Sequence, residues 1–147
     1  MVKLEANLQF MFNEYELIDR YEQASKAGFK GVELQAPYSL EKDQIVEKLE
    51  IHNLKHVIIN LPVIDPDTNQ ANLALIPDKK DLFLERLDLG ISYASTLGCI
   101  GINTGVGVKP QGFDDEEIFE TLVENQKIAS EKLAEKNIKA LIEPINT

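Results

Sequence analysis

Five short apolar runs alternate along this chain with amphipathic stretches of helical period, and that alternation admits few folds. Residues 4–8 read as a first strand. Asn13 then offers an N-cap, with Glu16 three residues on as the second member of a capping box. Leu17, Ile18, Tyr21 and Ala24 follow at helical spacing, and Gly28 stands where a glycine ends a helix. A second strand is expected over 31–34. Ser39 is expected to cap the next helix, whose buried face is Ile45, Val46 and Leu49 and which ends near Asn53. The third strand covers 56–60. Residues 61–77 carry three prolines and no clear period, and loops of that length are usually functional lids or poorly ordered. A helix over 79–97 buries Leu84, Leu87, Ile91 and Ala94, and a fourth strand covers 100–103. Asp114 with Glu117 caps a long helix with the stripe Ile118, Leu122, Ala129 and Leu133. The fifth strand is 140–143.

Strict β-α alternation with helices of this length indicates a parallel sheet with right-handed crossovers. Two α/β architectures fit: an open doubly wound sheet, or part of a (β/α)8 TIM barrel. Side-chain alternation separates them. If Leu4, Ala6 and Leu8 pack on the helices, Asn7 faces the other way. By the same parity Val32 and Leu34 leave Glu33 inward, and Val57 and Ile59 leave Asn60 inward. Ile100 and Ile102 leave Asn103 inward, and Ala140 and Ile142 leave Glu143 inward. Any one of the asparagines is adequately explained as a turn cap. Five polar residues on one side of five strand ends are not, because both faces of a doubly wound sheet are covered and its strands read as continuous apolar runs. A polar ring at the C-terminal strand ends is what a barrel site needs.

Charge narrows the partners. Fifteen basic against 25 acidic residues give a net charge of −10, and the basic residues are interleaved with acids. Phosphate backbones are gripped by clustered Lys and Arg, so nucleic acid and anionic membrane surfaces are not expected partners. No apolar run approaches the ~18 residues of a membrane span. The N-terminus lacks the apolar stretch and cleavage site of a secretory signal, and the one cysteine, Cys99, builds no disulfide framework. A cytoplasmic setting is expected.

Three local patterns are set aside. Thr104-Gly105-Val106-Gly107-Val108-Lys109-Pro110 begins like a dinucleotide fingerprint, but proline stands where its third glycine belongs. His52 and His56 are four apart, yet Asn53 and Lys55 end the helix between them, so they read as unrelated surface or packing residues. Cys99 reads as a small buried hydrophobe.

The residues Ala6-Asn7-Leu8, Met11-Phe12, Lys26-Ala27-Gly28-Phe29, Val32-Glu33 with Pro37-Tyr38, Asn60, Leu75-Ile76-Pro77, Leu97-Gly98-Cys99 and Val108-Lys109-Pro110-Gln111-Gly112 occur in that order. With the terminal Ile142-Glu143-Pro144-Ile145-Asn146-Thr147 they resemble the hydroxypyruvate isomerase family, within the xylose isomerase-like barrels. The resemblance covers the whole chain and a little over half of a family member. It implies a divalent metal at the top of the barrel and two glutamates that move a proton between adjacent carbons of a small hydroxy-carbonyl acid. Glu143 matches the first glutamate, as catalytic residue and metal ligand. Hard oxygen ligands favour Mg²⁺ or Mn²⁺. Asn7, Glu33, Asn60 and Asn103 are the expected substrate-binding residues. Asn103 stands where many relatives have histidine, and Leu61-Pro62 departs from their usual small residues.

A full (β/α)8 barrel takes about 250 residues. The expectation is therefore one partial barrel domain over 1–147, strands one to five with four helices, truncated after strand five. Hydroxypyruvate to tartronate semialdehyde through an enediolate is the leading reaction, with the fragment itself inactive. A 2-oxo-tetronate or other acid-sugar isomerase or epimerase is the alternative enzyme, and a non-catalytic remnant or binding module the alternative of another class. Open sheet edges lead to an expected homo-oligomer.

Overall fold

A computed structural model describes residues 3–105 and 107–143. Its strands are β1 (Glu5–Asn7), β2 (Gly31–Glu33), β3 (Lys55–His56), β4 (Ile58–Asn60), β5 (Gly101–Asn103) and β6 (Lys139–Leu141). Its α-helices are α1 (Arg20–Lys26), α2 (Lys42–His52), α3 (Lys80–Leu97) and α4 (Asp115–Ala134). Every strand pair is parallel, in the orders β1-β2-β3 and β4-β5-β6. Strand neighbours thus follow chain order without the reversal that marks a doubly wound sheet. The helices likewise contact one another in sequence, α1 on α2, α2 on α3 and α3 on α4. A single helix layer over a sequentially ordered parallel sheet is the wall of a barrel.

The two sheets are joined at Val57. Its N–H donates to the Val32 carbonyl at 2.8 Å, while its own carbonyl accepts from the Ile100 N–H at 2.9 Å. In a regular parallel strand one residue's N–H and C=O point to the same neighbour, so Val57 shifts the alternation by one residue, as a bulge does. The sequence reading placed Val57 on the helix side. The structure instead puts His56 there, buried, and turns Val57 toward Gly31 on the opposite face.

Ala6, Leu8, Val32, Leu34, Ile59 and Ile102 form the sheet's contribution to the core, fully buried against Tyr21, Ala24, Ile45, Phe83, Leu87 and Leu133. Each such aliphatic side chain contributes roughly 1.5–3 kcal/mol through removal from water. Two isoleucines expected in this layer are not in it. Ile100 is 60% exposed because it precedes β5, and Ile142 is 58% exposed because it lies past the end of β6.

Helix ends follow the expected chemistry in part. Asp114 accepts from the Glu117 N–H at 2.9 Å while Glu117 returns to the Asp114 N–H, a complete capping box. Asn53 closes α2 in the left-handed conformation. Asn13 and Ser39, however, cap nothing. The Asn13 Oδ1 is taken by Arg20 at 2.7 Å, and α1 is entered through a 3-10 turn, Leu17–Asp19. Ser39 ends a 3-10 turn that Pro37 begins, and α2 starts after Glu41 without a side-chain cap.

The long 61–77 loop is a fixed hairpin rather than a loose lid. Ile64 and Ala71 form an antiparallel bridge, and Leu73 N–H donates to Val63 at 3.0 Å. Asp65, buried, accepts from Thr68 and is paired with Lys79, which also holds Asp67. Among the described residues no helix is long and apolar enough to cross a membrane.

Candidate functional site

Strand parity puts Glu5 and Asn7 of β1, Gly31 and Glu33 of β2, Asn60 at the end of β4, and Asn103 at the end of β5 on the face opposite the helices. Asn7, Glu33, Asn60, Asn103 and Glu143 line one cavity of about 350 Å³. Phe10, Gln35, Ile58, Leu141 and Ile142 complete its wall. All five residues singled out from sequence are therefore brought together. Another depression, on the outer face of α4 around Phe119 and Val123, contains none of them.

Two of the asparagines do the same two jobs. Asn7 Oδ1 accepts the Gln9 N–H at 3.0 Å and its Nδ2 donates to Glu33 on the next strand. Asn103 Oδ1 accepts the Gly105 N–H at 3.1 Å and its Nδ2 donates to Glu143 Oε2 at 2.8 Å. In each case a turn N–H two residues on fixes the amide's orientation, which leaves only the NH2 end to face the glutamate. Turn cap and site residue, rival readings of the sequence, are here one residue. Asn60 differs: its carbonyl accepts from the Tyr38 hydroxyl, and its side-chain amide has no hydrogen bond among the described residues, so it faces the cavity unengaged.

The cavity is acidic. Burial raises the Glu33 carboxyl above its ordinary range, and the like charges of Glu5 and then Glu143 add to this, against the opposing hydrogen bond from Asn7. Glu5 is raised too, chiefly by burial. No Lys, Arg or His lines the cavity among the described residues. Glu5 was not anticipated, although the parity that selects Asn7 also selects the residue two before it. Gln35 and Phe10 lie beyond the strand ends, where alternation carries no information.

The patterns set aside behave as packing and turns. His56 is buried with its Nδ1 at 3.6 Å from Cys99 Sγ, and burial pushes the Cys99 thiol up to about 12. Gly105 and Gly107 both have positive φ, as a turn requires, with Val106 outside the described residues. Pro144 to Thr147, the rest of the terminal motif, also lie outside them.

A sequential parallel β/α wall with polar side chains gathered at its C-terminal strand ends defines a TIM-barrel protein whose site sits where barrel enzymes place theirs. The chain belongs to the Xylose isomerase-like TIM barrel family, which matches residues 21–147. It is 38% identical to the hydroxypyruvate isomerase of Escherichia coli, over 99% of this chain and 57% of that protein. It is 36% identical to the 2-oxo-tetronate isomerase of Haemophilus influenzae, again over 99% and 57%. A crystal structure described as an AP endonuclease, family 2, from Brucella melitensis superposes with a TM-score of 0.93 at 36% identity, covering 99% of this chain and 56% of that one. The chain spans a little over half the length of these relatives.

Proposed function

We propose that this chain supplies the first five strands of an isomerase acting on a small hydroxy-carbonyl acid, with hydroxypyruvate to tartronate semialdehyde as the reaction. The carrying observation is Glu143, held by Asn103 through Oε2 so that its other oxygen is left for a substrate proton. A proton α to a carbonyl leaves as an enediolate forms, and a carboxylate within hydrogen-bond reach both removes it and returns it to the neighbouring carbon. Asn60, Asn7 and Glu33 are placed to hold the substrate's hydroxyl and carbonyl oxygens. The names of the relatives support this reaction, and equally a 2-oxo-tetronate substrate. The acidic, base-free lining gives no support for a phosphodiester ligand.

The residues at hand do not make a metal site by themselves. No three His, Cys, Asp or Glu side chains come together for an ion among the described residues. Glu143 is the residue that the resemblance matches to a ligand of Mg²⁺ or Mn²⁺, and its carboxylate is a hard oxygen donor suited to such an ion. A cytoplasmic carbohydrate-metabolising role goes with this reading.

The test is a chimera in which this chain replaces the matching part of the Escherichia coli hydroxypyruvate isomerase. It is expected to exchange the substrate's α-proton with solvent deuterium, followed by NMR, whereas the chain alone does not. Glu143→Gln in the chimera keeps the shape and abolishes exchange, since an amide accepts no proton. A folded chimera inert toward hydroxypyruvate, or an undiminished Glu143→Gln rate, overturns the proposal.

A further inference from the structure

The hydrogen bond that holds Glu143 depends on which end of the Asn103 amide faces it. An amide turned over would present its oxygen to the carboxylate, and two acceptors make no bond. The Gly105 N–H prevents this by donating to Asn103 Oδ1 at 3.1 Å, which leaves Nδ2 to donate to Glu143 Oε2 at 2.8 Å. The orientation therefore rests on one peptide unit, between Thr104 and Gly105. Gly105 stands at φ +71°, and the freedom of a glycine would let that peptide turn over at little cost.

Gln126 of α4 grips this peptide from both sides. Its Oε1 accepts from the Thr104 hydroxyl at 2.5 Å, and its Nε2 donates to the Gly105 carbonyl at 3.2 Å. Only Nε2 can face a carbonyl oxygen, so the Gln126 amide itself has one orientation. Thr104 is fully buried and reaches the strand that leads to Glu143. Its N–H donates to the Leu141 carbonyl at 2.9 Å, and its hydroxyl lies 3.1 Å from the same oxygen. A Cβ on Gly105 would stand 3.0 Å from Val63 Cγ2, so the turn is also packed against the 61–77 hairpin. Gln126 thus stands behind both partners of the Asn103–Glu143 bond and does not itself line the cavity.

We propose that Gln126 is a positioning residue for Glu143: by bracketing the Thr104–Gly105 peptide, it holds the Asn103 amide in the orientation that donates to that carboxylate. This rests on the reading of Glu143 as the group that moves the substrate proton. A base has to meet that proton within a narrow range of distance and angle, and a carboxylate free to rotate spends little time there. Asn103 fixes one oxygen and leaves the other for the proton, and Gln126 keeps Asn103 in that role. The matching pair on the other sheet, Asn7 and Glu33, is set by the Gln9 N–H instead and serves as an internal comparison.

The first measurement is made on the full chain by NMR, as hydrogen exchange at the Gly105 and Gln9 N–H groups and as the side-chain amide signals of Asn103 and Asn7. Gln126→Met removes both contacts at similar length. Gln126→Glu keeps an acceptor for Thr104 and loses the donor to Gly105, and it decides the matter where Gln126→Met fails to fold. Each is expected to speed exchange at Gly105 about tenfold and to shift the Asn103 amide signals, with Gln9 and Asn7 unchanged. Unaltered Gly105 and Asn103 signals overturn the proposal. Equal acceleration at Gln9 overturns it too, since that is the mark of a general loss of stability.

The second measurement uses the chimera with the Escherichia coli enzyme. There the same substitutions should lower kcat for α-proton exchange of hydroxypyruvate about ten- to hundredfold and leave KM unchanged, as a misplaced base does. A raised KM with kcat intact, or an unslowed rate, overturns the positioning role. A chimera inert before any change at 126 counts against the proposed reaction, and the Gly105 and Asn103 signals then decide the clamp by themselves.

Discussion

At the scale of single residues, the site was legible where two conditions met: a strand long enough to show parity, and a polar residue out of phase with its apolar neighbours. Asn7, Glu33 and Asn103 satisfy both. Their partnerships were not legible, because which strand end faces which is set by register, and parallel register is written in the packing of whole helices. His56 shows the other failure. Counting back from Asn60 by twos sends it inward, but the extra residue at Val57 sends it into the helix layer, against Tyr21 at a ring distance of 6.1 Å. Burial there lowers its pKa from 6.5 to about 4. The unfolded chain then takes up this proton at a higher pH than the folded one. The stabilisation is complete above about pH 6.5 and is lost as pH falls toward 4, by up to about 3 kcal/mol. Urea midpoints at pH 7 and near pH 4.5 should show this loss, and His56→Leu should shrink it. An acid dependence identical in the variant would place the sensitivity elsewhere.

At the scale of elements, helices and strands were read to within a residue or two, whereas their entries and the 61–77 segment were not. Proline 37 and Arg20 redirect two helix starts by local bonding that no capping pattern encodes. The 61–77 segment has no period because its order comes from a hairpin bridge within it and from bonds to distant parts of the chain. The Val108 N–H donates to the Ala71 carbonyl at 3.3 Å, and Asn125 of α4 donates to the Ala74 carbonyl at 3.0 Å. Gly107, at φ +79°, lies so close that a Cβ on it would fall 1.5 Å from the Ala71 oxygen. Gly107→Ala therefore has to push the two loops apart as well as strain the backbone. It should lower stability by about 1–3 kcal/mol and speed amide exchange at Val108 and Leu73. Unaltered exchange at both amides would show the loops to be independent.

At the scale of the whole molecule, β1 and β6 each have one strand neighbour, so each presents a row of backbone groups with no sheet partner among the described residues. The inner face adds Ile58 and Leu141, both part-exposed, together with Phe10 at 66% and Ile142 at 58% exposure. Unpaired edges beside apolar surface favour association. Light scattering of the chain at micromolar concentration should show dimers or larger species, with slowed hydrogen exchange along β1 and β6. A monodisperse monomer with a cooperative melt would rule this out. The Ala71–Gly107 contact also matters to anyone recombining this barrel with its relatives. Substrate range in such folds is usually altered by exchanging one loop at a time. Here the segments after Asn60 and Asn103 are cast as a single part, and a library that swaps either without the other will sample mismatched halves of one mould.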